Sequence, residues 1–211
     1  MNNTYIIGAG GHARTLIPLV QGVADLNLIG LIERKGYRAK SCMGFPVFSV
    51  DNDFSTLSPA ADSAVIGIGQ IVNPLPRLNI FESLHKKGIS TPMVISSSAI
   101  VSEFAILGTG TIIMNYAFVG PEVEIGKNCI VNNRVSLEHG VTVADHCHIS
   151  TGAILNGDVT IGEKSFVGSG CVIKNGVTIG SGCVISLGET ISENLSDGSL
   201  FKDGKVTKLN V

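Results

Sequence analysis

One spacing constrains this chain more than any other feature. From Ile95 onward an Ile, Leu or Val stands at every sixth position: Val101, Leu107, Ile113, Val119, Ile125, Val131, Leu137, Val143, Ile149, Leu155, Ile161, Val167, Ile173, Ile179, Ile185 and Ile191. Since 61 of the 211 residues are Ile, Leu or Val, seventeen consecutive hits arise by chance with a probability on the order of 10⁻⁹. A helix cannot use a period of six, and a hairpin protein would show period two broken by irregular turns. Four residues after each aliphatic the side chain is mostly small or β-branched, a phase that takes in Cys129, Cys147, Cys171 and Cys183 and predicts them as core filler. Glycine recurs directly after the aliphatic, at Gly108, Gly120, Gly126, Gly162, Gly168 and Gly180, and is expected to mark the sharp bends between short strands. Together these phases predict a parallel β-helix of hexapeptide repeats. Eighteen residues make a three-sided coil, and residues eighteen apart stack at about 4.8 Å.

Six of the seven prolines lie at or before Pro92, and only Pro121 follows. The chain therefore reads as a first domain over 1–92, a β-helix of roughly five coils over 93–191, and a capping tail over 192–211. The first domain alternates strand and helix. Tyr5–Ile7 predicts a strand, Gly8-Ala9-Gly10-Gly11-His12-Ala13 a G-x-G-x-x-A loop, and Leu16, Leu19, Val20 and Val23 a helix. Leu28–Ile32 and Ala64–Gly69 predict two further strands, and Asn73-Pro74 begins a helix through Phe81, Leu84 and His85 that ends at Gly88. This is a small Rossmann-like βαβαβ pattern, one half of a dinucleotide fold. Glycines between a first strand and a helix let the chain approach phosphate oxygens, and the helix N-terminus supplies oriented N–H groups. Gly8, Gly10, Gly11 and His12 are thus expected against phosphates, with Glu33 and Arg34 meeting ribose or base. Gly69 and Gln70 are expected at the same sheet edge. Arg77 is expected on the helix surface. A half-fold suits a mononucleotide or nucleotide-linked sugar better than hydride transfer.

The net charge of −2 and the 15% charged residues offer no footprint for nucleic acid or an acidic membrane surface. No apolar run approaches the ~20 residues that cross a bilayer. The N-terminus lacks a basic region before its short apolar stretch, and the five cysteines show no metal-ligand spacing. The expectation is a cytoplasmic protein with free thiols and no metal, whose partners are small molecules or other protein chains.

A G-A-G-G-H opening joined to hexapeptide repeats resembles the bacterial sugar acetyltransferases of the PglD/NeuD type. The most specific stretch runs from Ile130-Val131-Asn132-Asn133 through Leu137-Glu138-His139 and His148–Ala153 to Leu155-Asn156-Gly157-Asp158. The resemblance implies a left-handed β-helix and acetyl-CoA as co-substrate. It also implies N-acetylation of a UDP- or dTDP-linked 4-amino-4,6-dideoxy sugar in surface-glycan (O-antigen, lipopolysaccharide) biosynthesis. O-acetylation of sialic acid is the alternative within the family. It puts the catalytic base on His139, the sugar amino group near Asn132 and acetyl-CoA near His148, with active sites between the subunits of a homotrimer. Relatives carry an acid directly after this histidine, where Gly140 stands here, so Glu138 or a group from an adjacent chain is expected to orient the ring. The tail also lacks the usual closing motif.

The repeat phases bear on these residues separately. His139 falls two positions after an aliphatic, in a polar phase that points outward, toward solvent or a neighbouring subunit. Gly157 lies one coil on, where its N–H would meet a thioester carbonyl. A histidine of ordinary pKa, about 6.5, suits a general base. Two readings from other classes stand beside this one. A zinc hydratase would use His139, His146 and His148 as ligands, and a sugar-nucleotide sensor would lack a working base.

Overall fold

The computed structural model describes residues 2–50, 54 and 56–209. It divides into two compact units, Met1–Gly69 with Leu75–Val94, and Gln70–Pro74 with Ile95–Val211. Residues 70–74 therefore leave the first unit, which the sequence reading had taken as continuous to residue 92.

The first unit runs β1 (Asn2–Ile7), α1 (Gly11–Gln21), β2 (Leu26–Arg34), β3 (Ser41–Cys42), β4 (Phe45–Val50), β5 (Asp62–Ile66) and α2 (Leu75–Lys86). The strand order is β3-β4-β2-β1-β5, parallel throughout except for the β3–β4 pair. Strands β1 and β5 are covered on both faces, so Tyr5-Ile6-Ile7 and Ala64-Val65-Ile66 read as unbroken apolar runs rather than alternating ones. Helix α1 buries Ala13, Leu16, Ile17, Leu19 and Val20.

Two expectations are corrected here. The second crossover is a hairpin, β3–β4, in place of the helix implied by βαβαβ. Its segment carries Gly36, Gly44 and Pro46, which favour turns and strand over helix. Arg77 is not on the helix surface: it is 1% exposed. Its Nη1 donates to the carbonyls of Ile66 at 2.6 Å and Ile68 at 3.0 Å. β5 is the edge strand, so the carbonyls at its end need donors from outside the ladder, and a guanidinium supplies several.

The second unit is the β-helix. Strands pair in parallel with partners eighteen residues away: Phe118 with Ser136, Ser136 with Ile154, Thr142 with Thr160, Ile130 with His148. The aliphatics from Ile113 to Ile191 and the small residues between them form one continuous core. The sharp bends do not fall where the sequence reading put them. From Gly110 to Gly188, all fourteen residues lying three past an aliphatic have φ between +54° and +73°, half of them not glycine (Tyr116, Glu122, Asn128, Arg134, His146, Asp158, Lys164). The glycines directly after the aliphatics answer a different demand, the closeness of the next coil. A Cβ at Gly168 would stand 2.6 Å from the Leu187 nitrogen.

The thiols at one corner also do more than fill space. Thr111, Cys129, Cys147 and Ser165 lie eighteen apart, and each donates to the carbonyl fifteen residues on, Ser165 to Gly180 at 2.8 Å. These bonds satisfy carbonyls turned out of the ladder at the corner. Burial pushes the Cys147 thiol well above its ordinary pKa, so it stays protonated. The tail is built largely of two strands. Ser199–Lys202 adds in parallel to Val184–Ile185 and returns as the antiparallel strand Lys205–Lys208. Positions 210 and 211 lie outside the described residues.

Candidate active site

In the first unit, the loop after β1 opens a cavity of about 320 Å³ at the carboxyl ends of the parallel strands, lined by Gly8, Glu33, Arg34, Phe54 and Ile68 among others. Such an edge is where open α/β sheets bind ligands. Gly8 has φ +103°, and a Cβ there would press on Ile68 at 3.1 Å. Gly10 and Gly11 begin α1 with open space around them: a Cβ at either meets no atom within 4 Å. His12 follows on the first turn, half-buried, with Gly69 beside its Cβ. Glu33 braces the loop. Its carboxylate accepts the Ala9 N–H at 2.9 Å and the Arg34 N–H at 3.1 Å.

Gln70 was expected with Gly69 at this edge, and the structure puts it in the other unit. It is 4% exposed. Its Nε2 donates to the carbonyl of His146 at 2.9 Å, and its own carbonyl lies 2.6 Å from His148 Nδ1. A carbonyl only accepts, so Nδ1 of His148 holds the proton and Nε2 accepts from Asn132 Nδ2 at 3.3 Å. Asn132 Oδ1 in turn accepts the Asn133 N–H at 2.7 Å. With the ring also edge-on to Phe166, His148 is anchored on both nitrogens. The imidazole thus closes a buried network with Gln70 and Asn132. His146 Nδ1 bonds to Asn128 at 3.0 Å. Among the described residues no group of three His, Cys, Asp or Glu side chains converges as a metal site, and His139, His146 and His148 do not form one.

His139 stands apart from that network, on an exposed corner of the second unit. Leu137 pairs with Leu155, so position 139 stacks on position 157, as the eighteen-residue phase predicts. The imidazole lies on Gly157. A Cβ built there overlaps ring atoms Cε1 and Nε2 and stands 3.0 Å from Nδ1. Among the described residues the Gly157 N–H has no acceptor in the chain, whereas N–H groups at the same repeat position, those of Lys127 and Ser181, are taken by Asp145 and Asp197. Next to the ring there is thus a backbone donor without an acceptor in the chain, and a free donor is a requirement for holding a developing oxyanion.

The expected orienting acid is corrected as well. Glu138 accepts the Ser136 hydroxyl at 2.7 Å, because neighbouring residues of the turn project to different sides. The carboxylate facing the ring is Asp158, with Oδ1 3.9 Å from Nδ1 and side chains 61% (His139) and 71% (Asp158) exposed. Sequence reasoning quoted Asp158 within its motif without giving it a role. The offset of nineteen residues, one coil plus one, was the available signal.

Comparison with known proteins agrees with both halves. Residues 3–84 match the PglD N-terminal domain, 118–156 the hexapeptide repeat of succinyl-transferase, and 158–186 the bacterial transferase hexapeptide (six repeats). No curated protein matches by sequence. Among solved structures, the acetyltransferase domain of PglB from Neisseria gonorrhoeae in complex with acetyl coenzyme A is 28% identical. The match covers 99% of each chain at a TM-score of 0.89. A mutant of perosamine N-acetyltransferase from Caulobacter crescentus, in complex with CoA and GDP-perosamine, is 25% identical over 98% of this chain and 97% of its own, TM-score 0.89. WeeI from Acinetobacter baumannii, 20% identical over 98% of this chain and all of its own at TM-score 0.81, shares the fold. A PglD-type N-terminal domain followed by transferase hexapeptide coils makes this chain similar, over nearly its whole length, to the hexapeptide-repeat sugar acetyltransferases of the PglD/NeuD type.

Proposed function

We propose that the chain transfers the acetyl group of acetyl-CoA to the amino group of a nucleotide-linked 4-amino-4,6-dideoxy sugar, with His139 as general base. The observation that carries this reading is the imidazole seated on Gly157, a base beside an unused N–H donor. The sugar amine attacks the thioester carbon, and Nε2 of His139 takes its proton. The Gly157 N–H stabilises the oxyanion, a contribution of about 3 kcal/mol for one such donor. Collapse expels the CoA thiolate, which takes the proton back from the imidazolium. No covalent acyl-enzyme is needed.

The glycine loop and its cavity serve the nucleotide, with Gly10 and Gly11 at the phosphates and Glu33 holding the loop. That cavity favours a nucleotide-linked acceptor over free sialic acid. Acetyl-CoA is expected along the coils next to His139. A homotrimer supplies the second wall of that groove, and Ile100, Phe104, Ile106 and Tyr116, each 64–69% exposed, are apolar surface that a subunit interface covers. The setting proposed is bacterial surface-glycan synthesis in the cytoplasm.

The test is thiol release from acetyl-CoA with a panel of UDP-, dTDP- and GDP-linked amino sugars, GDP-perosamine included because a neighbour holds it. Expected is turnover with at least one UDP or dTDP 4-amino sugar, abolished in His139→Ala. Transfer to free sialic acid alone, or a fully active His139→Ala, overturns the proposal. Light scattering should return three times the 22.0 kDa protomer mass.

A further inference from the structure

A histidine base works only if its other nitrogen holds the proton, so something must choose the tautomer. The geometry around Gly140 identifies that group. Gly140 and Asp158 occupy the same left-handed corner one coil apart, with φ +66° and +61°. A Cβ built on Gly140 overlaps Asp158 Oδ1 and stands 3.4 Å from its Cγ. The carboxylate of Asp158 thus fills the space a side chain at 140 would need, and from there it faces Nδ1 of His139. The Asp158 N–H donates to the His139 carbonyl at 3.0 Å, tying the two residues through the backbone.

Other aspartates of the coils are employed differently. Asp145 and Asp197 cap backbone N–H groups of the coil before them, at 2.7 and 2.8 Å. Among the described residues the Asp158 carboxylate has no such donor, and the side chain it faces is the His139 imidazole. The other acids on the adjoining turns are Glu138, bonded to Ser136, and Glu122, one coil before Gly140.

We propose that Asp158 is the positioning residue of His139. It holds Nδ1–H so that Nε2 receives the substrate proton, and position 140 is glycine because that carboxylate takes its place. The 3.9 Å separation closes to a hydrogen bond when substrates cover the corner, as catalytic contacts commonly tighten on binding. The proposal rests on His139 being the base.

The test uses the full chain with acetyl-CoA and the acceptor found above. Asp158→Asn should lower kcat about 10–100-fold, a milder loss than removing a buried orienting acid because the pair is exposed. KM for acetyl-CoA should stay within about twofold. The decisive variant relocates the acid. Asp158→Gly combined with Gly140→Asp puts a carboxylate into the same space from the other coil, on a left-handed corner that aspartate tolerates. Recovery of at least tenfold over Asp158→Gly alone supports the proposal. Wild-type kcat in Asp158→Asn overturns it, as does a relocated acid that recovers nothing while the fold melts normally. An active His139→Ala, by contrast, overturns the reading of His139 itself.

Discussion

Adding one methyl group at Gly157 is the sharpest probe of the catalytic geometry. The position tolerates a side chain in its backbone, since its φ lies outside the left-handed region, so alanine brings no conformational strain there. What it brings is a Cβ 3.0 Å from Nδ1 of His139 and closer still to Cε1 and Nε2. Carbon contacts relax at about 3.5–4.0 Å, so the ring must move by on the order of 1 Å or swing off its seat. It has room to do so, being 61% exposed. Displacement on that scale costs a reaction about 10²-fold, or about 2.7 kcal/mol of transition-state stabilisation. The Gly157 N–H is retained, so the loss reports the base rather than the donor. Folding should be spared or improved by about 0.4–1 kcal/mol, as for glycine-to-alanine changes at compatible positions. Thiol release at saturating substrates, together with thermal melts, separates the two effects. A Gly157→Ala enzyme with wild-type kcat would show that the imidazole does not work from this seat.

Further outcomes follow from other parts of the chain. Glu33→Ala removes the acceptor of the Ala9 N–H and should raise KM for the nucleotide sugar about tenfold with KM for acetyl-CoA unmoved; equal rises in both would sever the link between this loop and the nucleotide. Arg77→Leu leaves the Ile66 and Ile68 carbonyls without their donor and should cost about 2–4 kcal/mol in urea unfolding; less than 0.5 kcal/mol would mean that water replaces the guanidinium. Native protein should expose a single thiol to a disulfide reagent, that of Cys42, because Cys129, Cys147, Cys171 and Cys183 are buried. Burial raises the pKa of Cys147, Cys171 and Cys183, so these three should stay silent toward the reagent even near pH 8.5 until denaturant is added.

The β-helix was legible because its core repeats: an aliphatic every six residues is a local rule, and residue 157 sits on residue 139 by arithmetic alone. The first unit was legible where strands are buried on both faces, as at Ile6 and Val65. It was misread between residues 35 and 61, where turn residues replace any period. Glycine showed the limit most plainly. Composition cannot tell a glycine whose Cβ space a neighbouring side chain fills, as Asp158 does at Gly140, from one pressed by a neighbouring backbone, as at Gly168, because both appear as the same missing side chain.

Residue types and their phase thus determined the solenoid, the outward histidine and the nucleotide-type loop. Tertiary structure alone decided which polar groups meet. It buried Arg77 against carbonyls of an edge strand, drew Gln70 out of the first unit to lock His148, and set Asp158 rather than Glu138 before the His139 ring. Backbone periodicity depends on neighbours in sequence, whereas a side-chain contact depends on where two distant turns of chain come to rest against each other.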